Sequence, residues 1–244
     1  MHVIVKSIPV GWEVIYQRAH GLLAAEIAFY WKTTERPPHF MQTLLAIAEH
    51  DDGRPESRSP ENLTEAGAPK HFQLLGRSAQ QYRSVMEIST AKSRWNALLT
   101  SLHMTFLYED EKYEDQDIEE FIKEQHEFQK KLLKELKISQ TQAKKAYRFV
   151  EWCDALSLLL CMDRIQPEQR RMDISLGPEG TMYQIWQDEK ERLRVEPWPF
   201  EPDFFTVEVE YRELHQLQFK DADELDDGLR KAPVGVRKWD FFKG

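Results

Sequence analysis

Residues 1–31 read MHVIVKSIPVGWEVIYQRAHGLLAAEIAFYW, and a change of period inside this stretch decides the fold class. Up to Tyr16 the chain alternates. Val3-Ile4-Val5-Lys6-Ser7-Ile8, a Pro9-Val10-Gly11 turn and Trp12-Glu13-Val14-Ile15-Tyr16 read as a β-hairpin rich in β-branched and aromatic residues. From Gln17 the spacing turns helical, with Ala19, Leu22, Leu23, Ile27 and Tyr30 on one face of a helix running to Trp31.

Outward from this stretch, the Pro37-Pro38 break is followed by a second helical run through Phe40, Leu44, Leu45, Ile47 and Ala48 to Glu49-His50, which stops at Asp51-Asp52-Gly53. Residues 53–72 are rich in Pro, Gly, Ser and Glu. A structureless stretch of about 20 residues inside a domain is unusual, so it reads either as a lid beside His50-Asp51 or as a solvated insertion. Helical spacing recurs over 77–92, 93–108, 115–137 and 139–163. The third of these has a charged outer face, and the last is the most apolar. After Pro167 the period returns to two, predicting strands at 172–176, 182–187, 193–196 and 204–214, with 236–242 as a further one. A lone hairpin is not stable in water. The reading is therefore α+β in one domain, 1–244: a mainly helical core over 17–163, with one antiparallel sheet built from 1–16 and 167–244 lying beside it.

The bulk composition bounds the rest. The 244 residues are 41% hydrophobic and 11% aromatic, enough for a sizeable core without disulfides. A formal net charge of -9 argues against a nucleic-acid polymer or an anionic membrane as the main partner, because both reward basic surfaces. Cys153 and Cys161 sit eight residues apart on one helix, roughly 12 Å at 1.5 Å per residue, too far to bridge. With no signal-peptide layout and no long apolar run, the expected location is cytoplasmic.

Four positions carry a polar, metal-competent side chain where the pattern asks for an apolar one. His20 follows Ala19 on the inward side of its helix, His50 and Asp51 end the second helix, and Asp154 interrupts Cys153-Asp154-Ala155-Leu156-Ser157-Leu158. His103, in Ser101-Leu102-His103-Met104, is a fifth. A buried carboxylate needs a metal, a cationic partner or a proton, so the alternative for Asp154 is an ion pair with Lys145 or Arg148. For the histidines it is a hydrogen-bonded core residue, and for Asp51 a turn before Asp52-Gly53.

The order of these segments resembles the HD-domain phosphohydrolases: Gln17-Arg18-Ala19-His20, then Ala48-Glu49-His50-Asp51-Asp52-Gly53, then Trp152-Cys153-Asp154-Ala155-Leu156-Ser157. More closely, with Ser101-Leu102-His103 added, the chain resembles a bacterial family catalogued as domain of unknown function 3891. The resemblance implies that His20, His50, Asp51 and Asp154 hold a divalent metal ion, with His103 as a second-metal ligand or phosphate contact. Asp52 competes with the neighbouring Asp51. Nitrogen and carboxylate donors suit Mn, Fe, Ni, Zn or Mg. The implied activity is metal-dependent phosphohydrolysis of a small phosphorylated compound such as a nucleotide, with Asp51, Asp52 and His103 as catalytic residues. Lys70, Arg77, Arg83, Lys92 and Arg94 are the candidate phosphate contacts. Two alternatives stand beside it. One is a di-iron oxygenase, which would need His126 or His71 as further ligands. The other is a non-catalytic binding protein with a structural metal. A Ser-His-Asp nucleophile drawn from Ser101, His50 or His103, and Asp154 is a third arrangement the residue types allow.

Overall fold

A computed structural model describes residues 3–50, 60–76, 78–107 and 116–244. The first hairpin forms where the alternation places it: β1 (Val3–Ile8) pairs with β2 (Gly11–Tyr16), from Val3 opposite Tyr16 to Ile8 opposite Gly11. The late strands are β3 (Met172–Leu176), β4 (Met182–Gln187), β5 (Leu193–Glu196), β6 (Phe204–Leu214) and β7 (Val234–Phe242). Their order, β1-β2-β6-β7-β5-β4-β3, makes one seven-stranded sheet. The hairpin joins it by antiparallel pairing of β2 with β6, and a Cβ at Gly11 would run into the Leu214 carbonyl there.

This overturns the expected fold class. The chain does not have a mainly helical HD-domain-like core with an antiparallel sheet set beside it. It has a single curled, mixed sheet that carries the helices. β7 is the reason. It pairs antiparallel with β6 from Phe204↔Phe242 to Arg212↔Val234, and parallel with β5 at Leu193↔Phe241, fusing the two halves. Alternation reports which face a strand buries, not which neighbour it takes or in which direction.

The helices among the described residues are α1 (Gln17–Phe29), α2 (Phe40–Ala48), α3 (Ala79–Lys92), α4 (Arg94–Phe106), α5 (Gln116–Leu136), α6 (Gln140–Cys161) and α7 (Ala222–Lys231). None is long and apolar enough to cross a membrane. The main core is shared between layers: Ile15 from the hairpin, Leu23 and Ile27 from α1, Trp152 and Leu156 from α6, and Val207 and Phe241 from the sheet are all at most 2% exposed. Each buried side chain of this size contributes roughly 1.5–3 kcal/mol, so this shared core ties the two layers together. Helix α7 was not expected. Asp221 caps it by accepting from the Glu224 amide at 2.9 Å, and Leu225 and Leu229 pack onto Val3, Val14 and Leu214.

Of the proposed lid at 53–72, residues 53–59 lie outside the described residues. The described part is anchored by a Leu63–Pro69 bridge and by the Phe219 amide, which donates to the Gly67 carbonyl at 2.8 Å.

Candidate metal centre

Chain connectivity sets up the site. β2 passes into α1 with no linker, so His20 sits in the first turn of a helix seated on the sheet. His50 follows the end of α2, and Asp154 lies in the second half of α6. Both histidines are buried, at 0% and 2% exposed. The Asp154 side chain is 13% exposed.

Each imidazole is fixed by its own helix. His20 Nδ1 donates to the Gln17 carbonyl at 2.5 Å, and His50 Nδ1 donates to the Ile47 carbonyl at 2.6 Å. For Ile47 this satisfies a last-turn carbonyl, one of those that lack a donor inside the helix. Because a carbonyl only accepts, the proton must be on Nδ1 in both rings. In the neutral form each Nε2 then carries a lone pair.

Both Nε2 atoms approach the same oxygen. His20 Nε2 lies 3.0 Å and His50 Nε2 3.3 Å from Asp154 Oδ1, and the three atoms lie within 4.8 Å of one another. The two rings meet edge to face at 5.1 Å. Three acceptors converging in a buried place repel one another unless positive charge sits among them. One proton on either Nε2 would pair that ring with the carboxylate but leave the other lone pair beside the same oxygen, and protonating both would leave a buried charge unpaired. A divalent cation resolves the conflict without adding a proton. Ligand atoms each about 2.0–2.2 Å from an ion lie roughly 3–3.5 Å apart, as each histidine nitrogen does from the Asp154 oxygen. A histidine Nδ1–H held by a carbonyl is also the usual support for a ring that ligates through Nε2. Burial alone would push the Asp154 carboxyl up; only imidazoles that also carry a proton on Nε2, His50 ahead of His20, hold it well below the usual carboxylate range.

Neither of the alternative partners for Asp154 forms an ion pair with it among the described residues. Lys145 pairs with Glu179, and Arg148 reaches toward Gly180, where a Cβ would meet its Nη1 at 3.0 Å. His103, on α4 and 3% exposed, lies one ring beyond the trio. It packs edge-to-face on His50 at 5.1 Å, and its Nδ1 is 3.2 Å from the Tyr147 hydroxyl. Asp51 and Asp52 lie outside the described residues.

The remaining candidates do not gather here. Arg83 pairs with Glu124 over the Phe121 ring, and Arg94 lies 3.7 Å from Glu135. Lys92 pairs with Glu49 at 2.6 Å, next to His50 in sequence. Lys70 is held in the loop by its amide on the Asn62 carbonyl, and Arg77 is outside the described residues. His126 is exposed on α5, and His71 caps a short turn by accepting from the Gln73 amide. Ser101 donates to Gln125 at 3.0 Å and Ser157 to the Asp154 carbonyl at 2.8 Å, so neither hydroxyl is aimed at a histidine.

Two contributors were missed. Gly21 lets α1 cross the end of α2: a Cβ there would stand 2.6 Å from the Ala48 carbonyl oxygen. The His20-Gly21 dipeptide was the available signal, since a glycine inside a helical pattern marks a close backbone approach. Glu151, one turn before Asp154, is the second. Burial pushes its carboxyl up to about 7, opposed by Ser175 and reinforced by the Asp154 charge.

A family model covers residues 3–216, a span that holds His20, His50, His103 and Asp154. The chain belongs to the family described as Protein of unknown function (DUF3891). The DUF3891 match stops short of α7 and of β7, the strand that joins the two halves of the sheet. No curated protein and no solved structure matches the chain.

Proposed function

We propose that this DUF3891 protein is a metal-dependent phosphohydrolase acting on a small phosphorylated compound, with a divalent ion held by His20 Nε2, His50 Nε2 and Asp154 Oδ1. The observation that carries the reading is the convergence of three buried acceptors with both Nδ1 protons committed to backbone carbonyls. The order of the residues, one His, a second His at a helix end and a late Asp on a separate helix, supports a likeness to the HD-domain phosphohydrolases at the level of the site. When bound, such an ion supplies a water of lowered pKa and polarises a phosphoryl oxygen.

The protein side of the chemistry is positional. His20 and His50 present neutral nitrogen donors fixed in tautomer and direction, and Asp154 supplies the balancing charge. We assign His103 to the substrate phosphate or to proton movement, because it is buried beside His50 and steadied by Tyr147. The two-nitrogen, one-oxygen donor set fits Mn, Fe, Ni, Zn or Mg.

The near-complete burial of both histidines favours a second reading, an ion that ties α1, α2 and α6 together without turnover. Elemental analysis of purified wild type and Asp154→Ala tests the shared premise. Stoichiometric metal lost in the variant is the expected result, and metal-free native protein overturns both readings. Phosphate release from a panel of nucleotides by the loaded protein then separates hydrolase from structural site, and oxygen uptake would identify an oxygenase instead.

A further inference from the structure

A cleft of about 1010 Å³ opens between α4, α5, α6 and the β3–β4 end of the sheet, and it shares no residue with the metal trio. Leu98, Leu102 and Leu133 form part of its wall. Phe106, Leu176 and Met182 line it while remaining 48%, 39% and 42% exposed. Large apolar side chains left open to water are unremarkable when scattered, but three on one concave surface mark a binding site.

Charge distinguishes this cleft from a simple apolar groove. On a chain of formal net charge -9, its lining carries four cationic side chains, Lys123, Lys130, Lys144 and Arg148, against two carboxylates, Glu127 and Glu151. Lys123 and Lys130 are taken up by Glu119 and Glu127 on their own helix, at 2.7 and 2.6 Å. Lys144 and Arg148 stand one turn apart on α6, and neither has an ion-pair partner within 4 Å among the described residues. A local excess of positive charge beside an apolar wall complements one kind of molecule, an apolar body with an anionic head. A guanidinium is suited to a carboxylate or phosphate head in particular, because its fork offers paired donors.

We propose that the cleft between α4, α5, α6 and the β3–β4 turn binds an anionic amphiphile, its apolar body along Leu102, Phe106, Leu176 and Met182 and its head group on Lys144 and Arg148. This stands apart from the phosphohydrolase reading, because none of these residues belongs to the metal trio.

Calorimetric titration with dodecyl phosphate and dodecanoate, each below its micellar concentration, tests the proposal. The expected result is saturable one-to-one binding of both. Dodecyltrimethylammonium and inorganic phosphate should bind at least tenfold more weakly. The Lys144→Ala/Arg148→Ala double variant should lose at least tenfold in affinity, as should Met182→Glu, which puts a negative charge on an exposed position of the wall. Thermal unfolding of each variant controls for the fold. Running the same titrations on metal-free Asp154→Asn protein separates the two proposals, since binding should persist there. Three results would overturn the inference: no saturable binding, equal binding of the cationic amphiphile, or an unchanged affinity in the double variant. Binding to anionic vesicles with none to the monomeric amphiphile would identify a membrane surface as the partner and would also overturn it.

Discussion

Two buried polar regions of this molecule differ in how their donors and acceptors balance. Between α4 and α5 the hydrogen bonds close on themselves: Thr105 donates to the Leu102 carbonyl, Gln129 Nε2 donates to Ser101 and Thr105, and Ser101 donates to Gln125. The Ser101 and Thr105 hydroxyls and the Gln125 carbonyl oxygen each meet a donor. Around Asp154 the reverse holds, because the two histidines spend their Nδ1 protons on carbonyls and three acceptors face one another. A satisfied buried network stabilises and specifies packing, whereas an unbalanced one is incomplete without a further partner. Burial of polar groups alone therefore does not single out the candidate site.

The largest expected effect comes from correcting the imbalance around Asp154. Asp154→Asn places an amide N–H₂ between two Nε2 lone pairs, so the variant should bind no metal yet melt as a folded protein whose stability is indifferent to chelator. Wild type should lose stability on chelation, by ~4 kcal/mol where free metal had exceeded its Kd about a thousandfold. A chelator response that survives in Asp154→Asn would break the comparison. Glu151 offers a third solution to the same problem, a buried carboxyl that keeps a proton up to about pH 7. Burial opposes its ionised form, so its contribution is full below about 4.5, declines as pH rises toward 7, and is flat above. Glu151→Gln should then be more stable than wild type at pH 8, by on the order of 3 kcal/mol. The difference should vanish near pH 4.5; unfolding curves of equal offset at both pH values would count against this assignment.

Gly21→Ala should push α1 from the end of α2, since the obstacle is backbone and cannot rotate away. The expected outcome is at least tenfold weaker metal binding with roughly 1–3 kcal/mol of destabilisation, as for other overpacked contacts. Retained affinity by competition titration would show that the close approach does not tune the site. The smallest effect is predicted for the balanced network. Gln129→Leu removes donors from Ser101 and Thr105, destabilising by about 1–2 kcal/mol, while metal content stays at the wild-type level. If metal were lost there too, the two regions would be one network and the contrast would fall.

Much of the local structure was legible, because the period of apolar residues is a direct consequence of backbone geometry. The strands at 172–176, 182–187, 193–196 and 204–214 stand where alternation places them. His20, His50 and Asp154 were visible because each breaks an apolar face. Helix α7 was obscured by its charge: only Leu225 and Leu229 are buried in Ala222–Lys231. The architecture was not legible, because the parallel contact between β5 and β7 joins segments about 40 residues apart and leaves no periodic trace. Glu151 escaped for a similar reason, since its importance lies in its burial and in what β3 places against it.

The position of β7 also has a consequence for how the protein is made. Val234–Phe242 leaves a ribosome after every other described strand, yet it lies in the middle of the sheet, between β6 and β5. Every helix that carries a site residue is synthesised before it, while β6 and β5 each still present an open edge. The nascent chain thus passes through a stage with its candidate metal ligands His20, His50 and Asp154 in place and no finished platform for α1. Its exposure to misassembly during translation should be concentrated in that interval, and should end when these nine residues arrive.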